Sequence, residues 1–178
     1  MPLNLLKIYP QLLDFGSMTE AQRTASLKKV FKRDIEDVPG LNFRAKIIRP
    51  VKGEEPSMQI LFTHLTCEEI VVKNEDGTSY KKRDFEIDRS LRLHWVRYQI
   101  EERKKDNVVI FSVEERDQRK RKDVIKTYIY DLDQEYIIVL EPQRSGTDYY
   151  LLTAYYLNRK EGKESIQKKM KKKLPVIH

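Results

Sequence analysis

The spacing of hydrophobic and polar positions changes several times along this 178-residue chain. Apolar residues at 5, 6, 8, 9, 12 and 13 predict a short amphipathic helix or turn over Asn4–Leu13, broken near Pro10. Ser17 or Thr19 then suits a helix cap. The helix it opens, Thr19 to Glu36, carries Ala21, Ala25, Leu27, Val30, Phe31 and Ile35 at helical spacing and stops before Pro39-Gly40. Beyond it the period shortens. Phe43–Ile48 reads as a strand, followed by a loop between Pro50 and Pro56. Ser57–Thr66 reads as a second strand, with Leu61 and Leu65 on one side and Ile60, Phe62 and His64 on the other. Glu68–Lys73 and Tyr80–Phe85 flank the hairpin signal Glu75-Asp76-Gly77.

From Asp88, a candidate cap, the pattern turns helical, with Leu91, Trp95, Val96 and Ile100 as the apolar stripe. A meander follows: strands at Asn107–Glu114, Ile125–Leu132, Tyr136–Glu141 and Tyr149–Leu157, the last pair joined by the turn-forming PQRSGTD. Lys163–Lys173 predicts a basic helix with Ile166 and Met170 on one side. Helices followed by a strand-rich half indicate an α+β fold with an antiparallel sheet. The expected organisation is an N-terminal helical extension (1–50), a central domain (51–160) and a basic C-terminal tail (161–178).

Composition narrows the class. Hydrophobic residues make up 39% of the chain and charged residues 35%, with ten tyrosines, which predicts a folded protein with a highly charged surface. No apolar run approaches the roughly 20 residues needed to cross a bilayer. No signal peptide is recognised in MPLNLLKIYPQLLDF. The expectation is therefore a soluble, cytoplasmic protein without membrane partners. Cys67 is the single cysteine and is expected to be a buried small hydrophobe.

The net charge of +7 is unevenly spread. Asn158–His178 carries about +6 of it, including Lys168, Lys169 and Lys171. A second cluster is Arg116, Arg119, Lys120, Arg121 and Lys122. Both predict contact with a polyanion, nucleic acid being the commonest, although lysine-rich helix ends also complement the helix dipole.

The chain lacks GxxxxGK[ST], GxGxxG, HExxH, GxSxG and CxxC, which disfavours nucleotide-dependent enzymes, zinc hydrolases and serine hydrolases. The histidines at 64, 94 and 178 are scattered, so neither a metal site nor a cofactor is expected. Cations, hydroxyls and two internal histidines remain. That set suits metal-free RNA cleavage, in which the 2′-OH is the nucleophile and the protein supplies proton transfer and positive charge. Histidine does the proton work near neutral pH, and arginine matches phosphate oxygens bidentately.

Tyr136–Glu141 followed by Leu151-Leu152-Thr153-Ala154-Tyr155-Tyr156 resembles the last hairpin of the barnase–EndoU–colicin–RelE-like (BECR) nucleases, whose toxin members carry Thr-Ala-Tyr or Thr-Ala-Phe on that strand. Arg89-Ser-Leu-Arg92-Leu-His94-Trp95 resembles the Arg-x-x-Arg-x-x-Trp helix of the phage- and prophage-encoded branch. The similarity covers roughly Asp88 to Arg159, and it departs from the toxins where Tyr156 replaces a proline.

The resemblance implies a metal-independent, toxin-like ribonuclease of phage or mobile-element type that forms a 2′,3′-cyclic phosphate. Thr153 and Tyr155 would be active-site residues. Strand alternation puts both with Leu151 and Leu157, opposite Leu152 and Ala154. Arg89 and Arg92, at i and i+3, would bind phosphate. His94 or His64 would move protons, although Arg92 and His94 lie about 200° apart around a helix and cannot share a face. Arg116, Arg119, Arg121, Lys168, Lys169 and Lys171 would track the RNA, with tRNA a candidate substrate and a cognate inhibitor protein a further partner. Trp95 fits a core anchor better than a stacking platform. The alternative is a catalytically weak or inactive accessory protein of the same fold that binds nucleic acid or protein.

Overall fold

A computed structural model describes residues 3–53 and 55–178. It is α+β, built on a six-stranded sheet in the order β1 (Asn42–Phe43), β2 (Lys46–Arg49), β8 (Asp148–Tyr156), β7 (Tyr136–Pro142), β6 (Lys122–Asp131), β5 (Val108–Asp117), with helices on both faces, and a separate two-stranded arm, β3 (Cys67–Lys73) and β4 (Ser79–Phe85).

Of the helix or turn expected over Asn4–Leu13, the amino-terminal arm forms the turn, a single 3₁₀ one at Leu3–Leu6. Side-chain hydrogen bonds replace helical ones. The buried Asn4 amide donates to the Asp14 carbonyl (2.9 Å) and to Ser26 Oγ (2.9 Å), and its oxygen accepts from the Asp14 N–H (2.7 Å). Helix α1 (Glu20–Phe31) starts at Thr19 with a reciprocal capping box to Gln22, satisfying two otherwise orphaned backbone N–H groups. It runs into a π-helical turn, Lys32–Glu36.

The strand expected at Phe43–Ile48 is instead a tight hairpin. β1 (Asn42–Phe43) and β2 (Lys46–Arg49) are joined by Arg44 and Ala45, both at positive φ (49° and 68°), as a type I′ turn requires. β2 then pairs in parallel with β8 (Asp148–Tyr156), so the sheet is mostly but not purely antiparallel. The first fifty residues, expected as a helical extension, thus supply two strands of the sheet.

Ser57–Thr66, expected as a strand, is helix α2. Met58, Leu61, Phe62 and Leu65 recur at i, i+3, i+4 and i+7, and the last three are buried together. The alternation read there ignored this stripe. Thr63 and Thr66, strand formers by propensity, donate their hydroxyls to the carbonyls of Gln59 (3.0 Å) and Phe62 (2.8 Å) one turn back. β3 (Cys67–Lys73) and β4 (Ser79–Phe85) follow in the expected hairpin. Cys67 is half-buried, not fully buried.

The expected helix from Asp88 is two short ones, α3 (Ile87–Ser90) and α4 (Trp95–Ile100). The cap is Glu86 rather than Asp88, its carboxylate accepting from the N–H groups of Asp88 and Arg89 (2.9 Å each). β5 (Val108–Asp117) and β6 (Lys122–Asp131) are longer than expected and reach the basic turn. β7 (Tyr136–Pro142) pairs with β6 only from Thr127 onward, so the β5–β6 hairpin overruns the sheet.

One core, from Leu13 to Ala154, packs α1, α2 and α4 against one sheet face. The other face holds Phe111, Val113, Tyr128, Ile137 and Val139 under helix α5 (Lys160–Lys171), which buries Ile166. The segment expected as a basic tail is therefore integral to the fold. Beyond α5, the Leu174 N–H donates to the Ser112 carbonyl on edge strand β5 (2.7 Å). The His178 N–H donates to Ser112 Oγ (2.9 Å), and its carbonyl accepts from Thr127 Oγ1 (2.9 Å) and from the Tyr149 hydroxyl. The Leu174 bond occupies one backbone acceptor of an edge strand that would otherwise be open to pairing there.

Two variants test these ties. Ile166→Ala should cost about 2–4 kcal/mol, measured by urea denaturation. A change below about 0.5 kcal/mol would show α5 to be dispensable. Asp131→Ala removes a fully buried carboxylate that holds Gln99 and Lys104 at 2.7 and 2.9 Å. It should lower stability by about 3 kcal/mol or more, roughly 6–12 °C in melting temperature.

Candidate nucleic-acid interface

Thr153 and Tyr155 lie on the stretch of β8 beyond its pairing with β2. A β-bulge governs how they are presented. Leu140 pairs with Leu151 and Val139 with Thr153, so Leu152 is the extra residue. Leu151 and Ala154 consequently share the helix-side core, while Leu152, Tyr155 and Leu157 join the α5 side. Simple alternation had placed Leu151 with Tyr155 and Leu152 with Ala154. The bulge reverses both, although Thr153 and Tyr155 stay together.

Helices α2 and α3 pack along this free edge of β8. Arg89 reaches across it, its Nη1 donating to the carbonyls of His64 (2.9 Å) and Cys67 (2.7 Å), with Thr153 Oγ1 at 3.4 Å and the Tyr155 ring centre 5.9 Å away. Thr153 Oγ1 itself donates to the His64 carbonyl (3.1 Å). The guanidinium thus caps the end of α2 and the start of β3. Burial pushes the Tyr155 phenol up to about 12, so it stays protonated at neutral pH.

Arg92 does not join Arg89. The helix that would align them breaks after Ser90, and Arg92 lies 3.9 Å from the Tyr156 ring centre, on the opposite sheet face from Tyr155. It donates to the Asp88 carbonyl at 2.6 Å and is 9% exposed. Both arginines of the expected phosphate pair are largely buried and already donate to backbone carbonyls.

His94 is not brought to Thr153 as a proton carrier. His94 is 5% exposed, with Nε2 2.9 Å from the Gln11 carbonyl in the amino-terminal arm. Burial pushes its pKa down to about 4, against the smaller raising effect of that hydrogen bond. His64 is half-buried on α2, and its backbone carbonyl accepts from both Thr153 and Arg89.

Among the lysines and arginines expected to track RNA, Lys169 is committed to the structure. Its ammonium bonds Glu115 (2.5 Å) and the Tyr128 hydroxyl (2.9 Å). Although burial opposes ionisation of Glu115, Lys169 and Tyr128 outweigh it and hold the carboxyl below its usual range. Lys168 and Lys171 are exposed on α5. Arg116 pairs loosely with Asp123 (3.5 Å) and Arg119 with Glu69 of the β3–β4 arm (3.8 Å), and both are more than half exposed. Arg121, also exposed, takes positive φ (50°) in the hairpin tip.

What the sequence reading missed is the groove beside that tip. The β5–β6 overhang, the β7–β8 turn and β2 enclose about 990 Å³. Its cations are Lys46, Arg49, Lys52, Lys120, Lys122 and Arg144, facing Glu114, Asp123, Glu141 and Asp148. Arg49 pairs with Asp148 (3.2 Å) and Lys120 with Glu141 (2.7 Å). Lys46, Lys52, Lys122 and Arg144 have no carboxylate within 4 Å among the described residues. These four come from two separate stretches of the chain, 46–52 and 122–144, brought together by the parallel β2–β8 pairing. The sequence signal was limited to cations near two turns.

Among the described residues, no group of three His, Cys, Asp or Glu side chains could hold a metal ion, and no helix is long and apolar enough to cross a membrane. No protein-family model matches the chain, and neither a curated protein nor a solved structure is found to match it.

The buried His94 makes a pH prediction. Its folded-state pKa lies below the ordinary value of 6.5, so the unfolded chain takes up the proton first. Its contribution is fully present above pH 6.5 and is lost as pH falls toward 4, an effect on the order of 3 kcal/mol. Denaturation midpoints of the wild type should therefore fall across this window, and His94→Gln should flatten the slope. An identical slope in the variant would remove His94 as the cause.

Proposed function

We propose that the protein binds the phosphate backbone of RNA in the basic groove beside the β5–β6 tip, without cleaving it. The observation that carries this is the set of four cations, Lys46, Lys52, Lys122 and Arg144, around one concavity, none of them salt-bridged among the described residues. Such charges release counterions from a polyanion, the main source of affinity in sequence-independent binding. The adjoining tip, with Arg116, Arg119 and Arg121, extends the positive surface. Exposed Lys168 and Lys171 are further backbone contacts in this reading.

Catalysis is the second reading, favoured by one observation: Thr153, Tyr155 and Arg89 meet at a single point on β8. It needs a proton carrier there. His94, held near pKa 4 against the amino-terminal arm, does not serve. A metal-independent ribonuclease of the BECR type would have to use another group.

Fluorescence anisotropy with a labelled oligoribonucleotide tests the binding reading. Four phosphate contacts to a single strand give a slope of about −3 in log K against log salt. Lys122→Glu combined with Arg144→Glu should weaken binding by about tenfold or more. Unaltered affinity in that double variant overturns the groove assignment. In parallel, RNA incubated with the protein in EDTA across about pH 5–9 should remain intact. Cleavage that Thr153→Ala abolishes would establish the nuclease reading instead.

A further inference from the structure

We infer that the amino-terminal arm forms a docking groove for an acidic peptide segment of a partner protein, one that carries aliphatic anchors. Residues 3–12 expose four aliphatic side chains: Leu3 (68%), Leu6 (59%), Ile8 (68%) and Leu12 (40%). Exposure of that kind in a fraying terminus would mean little. Here the backbone is held. Asn4 is buried against Asp14 and Ser26, and Tyr9 stacks on Tyr98 and bonds Asp131. The Gln11 carbonyl accepts from Trp95 Nε1 (3.1 Å) and faces His94 Nε2. The arm therefore presents its aliphatics from a preorganised scaffold, which lowers the entropic cost of binding.

Beside the arm lies a groove of about 420 Å³. Lys7, Arg33, Arg97 and Arg103 line it, against Asp34 as its one carboxylate. Arg97 and Arg103 share Glu101 (2.8 and 2.6 Å), and Arg33 pairs with Asp34. Two positive charges are left over, so the complementary ligand is acidic. Three observations choose among acidic ligands. Leu3, Leu6 and Leu12 are exposed on the same arm as Ile8 of the groove lining, so a ligand that covers the arm's aliphatics as well as the groove exceeds a small molecule. The groove is concave, whereas a bilayer is met by a protruding apolar wedge. The aliphatic surface asks for aliphatic partners, which a nucleic-acid backbone lacks. A peptide alternating carboxylates with aliphatic anchors meets all three conditions.

This surface is separate from the basic groove at the β5–β6 tip, and neither reading depends on the other. The test uses the full chain and a fluorescein-labelled peptide of about twelve residues, with leucine at helical spacing and glutamate elsewhere, read by anisotropy. Binding in the range of about 1–50 µM is expected. Ile8→Asp and, separately, Lys7→Glu combined with Arg103→Glu should each weaken it by about tenfold or more, while Lys122→Glu with Arg144→Glu leaves it unchanged. Ile8 and Arg103 are exposed, and unchanged melting temperatures confirm that the variants fold. The inference is overturned by absence of binding, by affinity unaffected in the arm variants, or by equal binding of a peptide with serine in place of leucine. It is likewise overturned if the labelled oligoribonucleotide or vesicles of phosphatidylcholine and phosphatidylserine displace the peptide, which would reassign the surface to RNA or to an anionic membrane.

Discussion

The Asp131 carboxylate is the point on which three parts of the molecule converge. It is fully buried at the end of β6 and receives the Tyr9 hydroxyl from the amino-terminal arm, the Gln99 amide from α4 and the Lys104 ammonium. It also accepts from the N–H groups of Asp133 and Gln134 (3.1 and 3.2 Å), which shapes the turn into β7. A buried carboxylate without partners is costly; one with five donors is specific, because no other arrangement of arm, helix and turn satisfies it as well. The packing around it follows the same route, with Tyr9 stacked on Tyr98 and set edge-on to Trp95, and Trp95 set against Tyr136 of β7. Burial and the Asp131 charge together raise the Tyr9 phenol far above its ordinary value, so it remains a donor at any physiological pH.

Fixing the arm and α4 in this way has a consequence for the arginines. Once α3 and α4 break from a single helix, Arg89 and Arg92 straddle β8, one beside Tyr155 and the other over Tyr156. Each then serves the fold. Arg89 closes the carbonyl end of α2, and Arg92 packs its guanidinium on an aromatic ring, where a planar cation is favoured. The residues that look most like phosphate ligands are thus the least available. The available positive charge sits on turns and strand ends, where no burial competes for it.

The two proposed surfaces illustrate opposite uses of charge. In the groove at the β5–β6 tip, lysines and arginines outnumber the acidic side chains and four form no salt bridge among the described residues, which suits a flexible polyanion. At the arm, the cations are partly neutralised by Glu101 and Asp34 and flank exposed aliphatics, which suits a ligand of mixed character. The strap from Leu174 to His178 is tied to Ser112 of β5 and ends in the lining of the first groove, so the basic C-terminal region contributes architecture as well as charge.

The sequence alone determined the α+β class, the start of α1, the β3–β4 hairpin, the four-strand meander and the helical character of the basic C-terminal segment. Each follows from local rules: apolar period, cap chemistry and turn residues. Tertiary structure decided the rest. Ser57–Thr66 became a helix because burying Leu61, Phe62 and Leu65 together outweighs the strand propensity of its threonines. The bulge at Leu152 reversed the faces of Leu151 and Leu152, since one extra residue inverts a two-residue period. The site residues were legible only as types. Thr153, Tyr155 and Arg89 do meet, but whether an arginine is free or a histidine can titrate near neutral pH depends on what surrounds it. Lys46, Lys122 and Arg144 share a groove only because a parallel pairing, which no local pattern encodes, joins the first strands of the chain to the last.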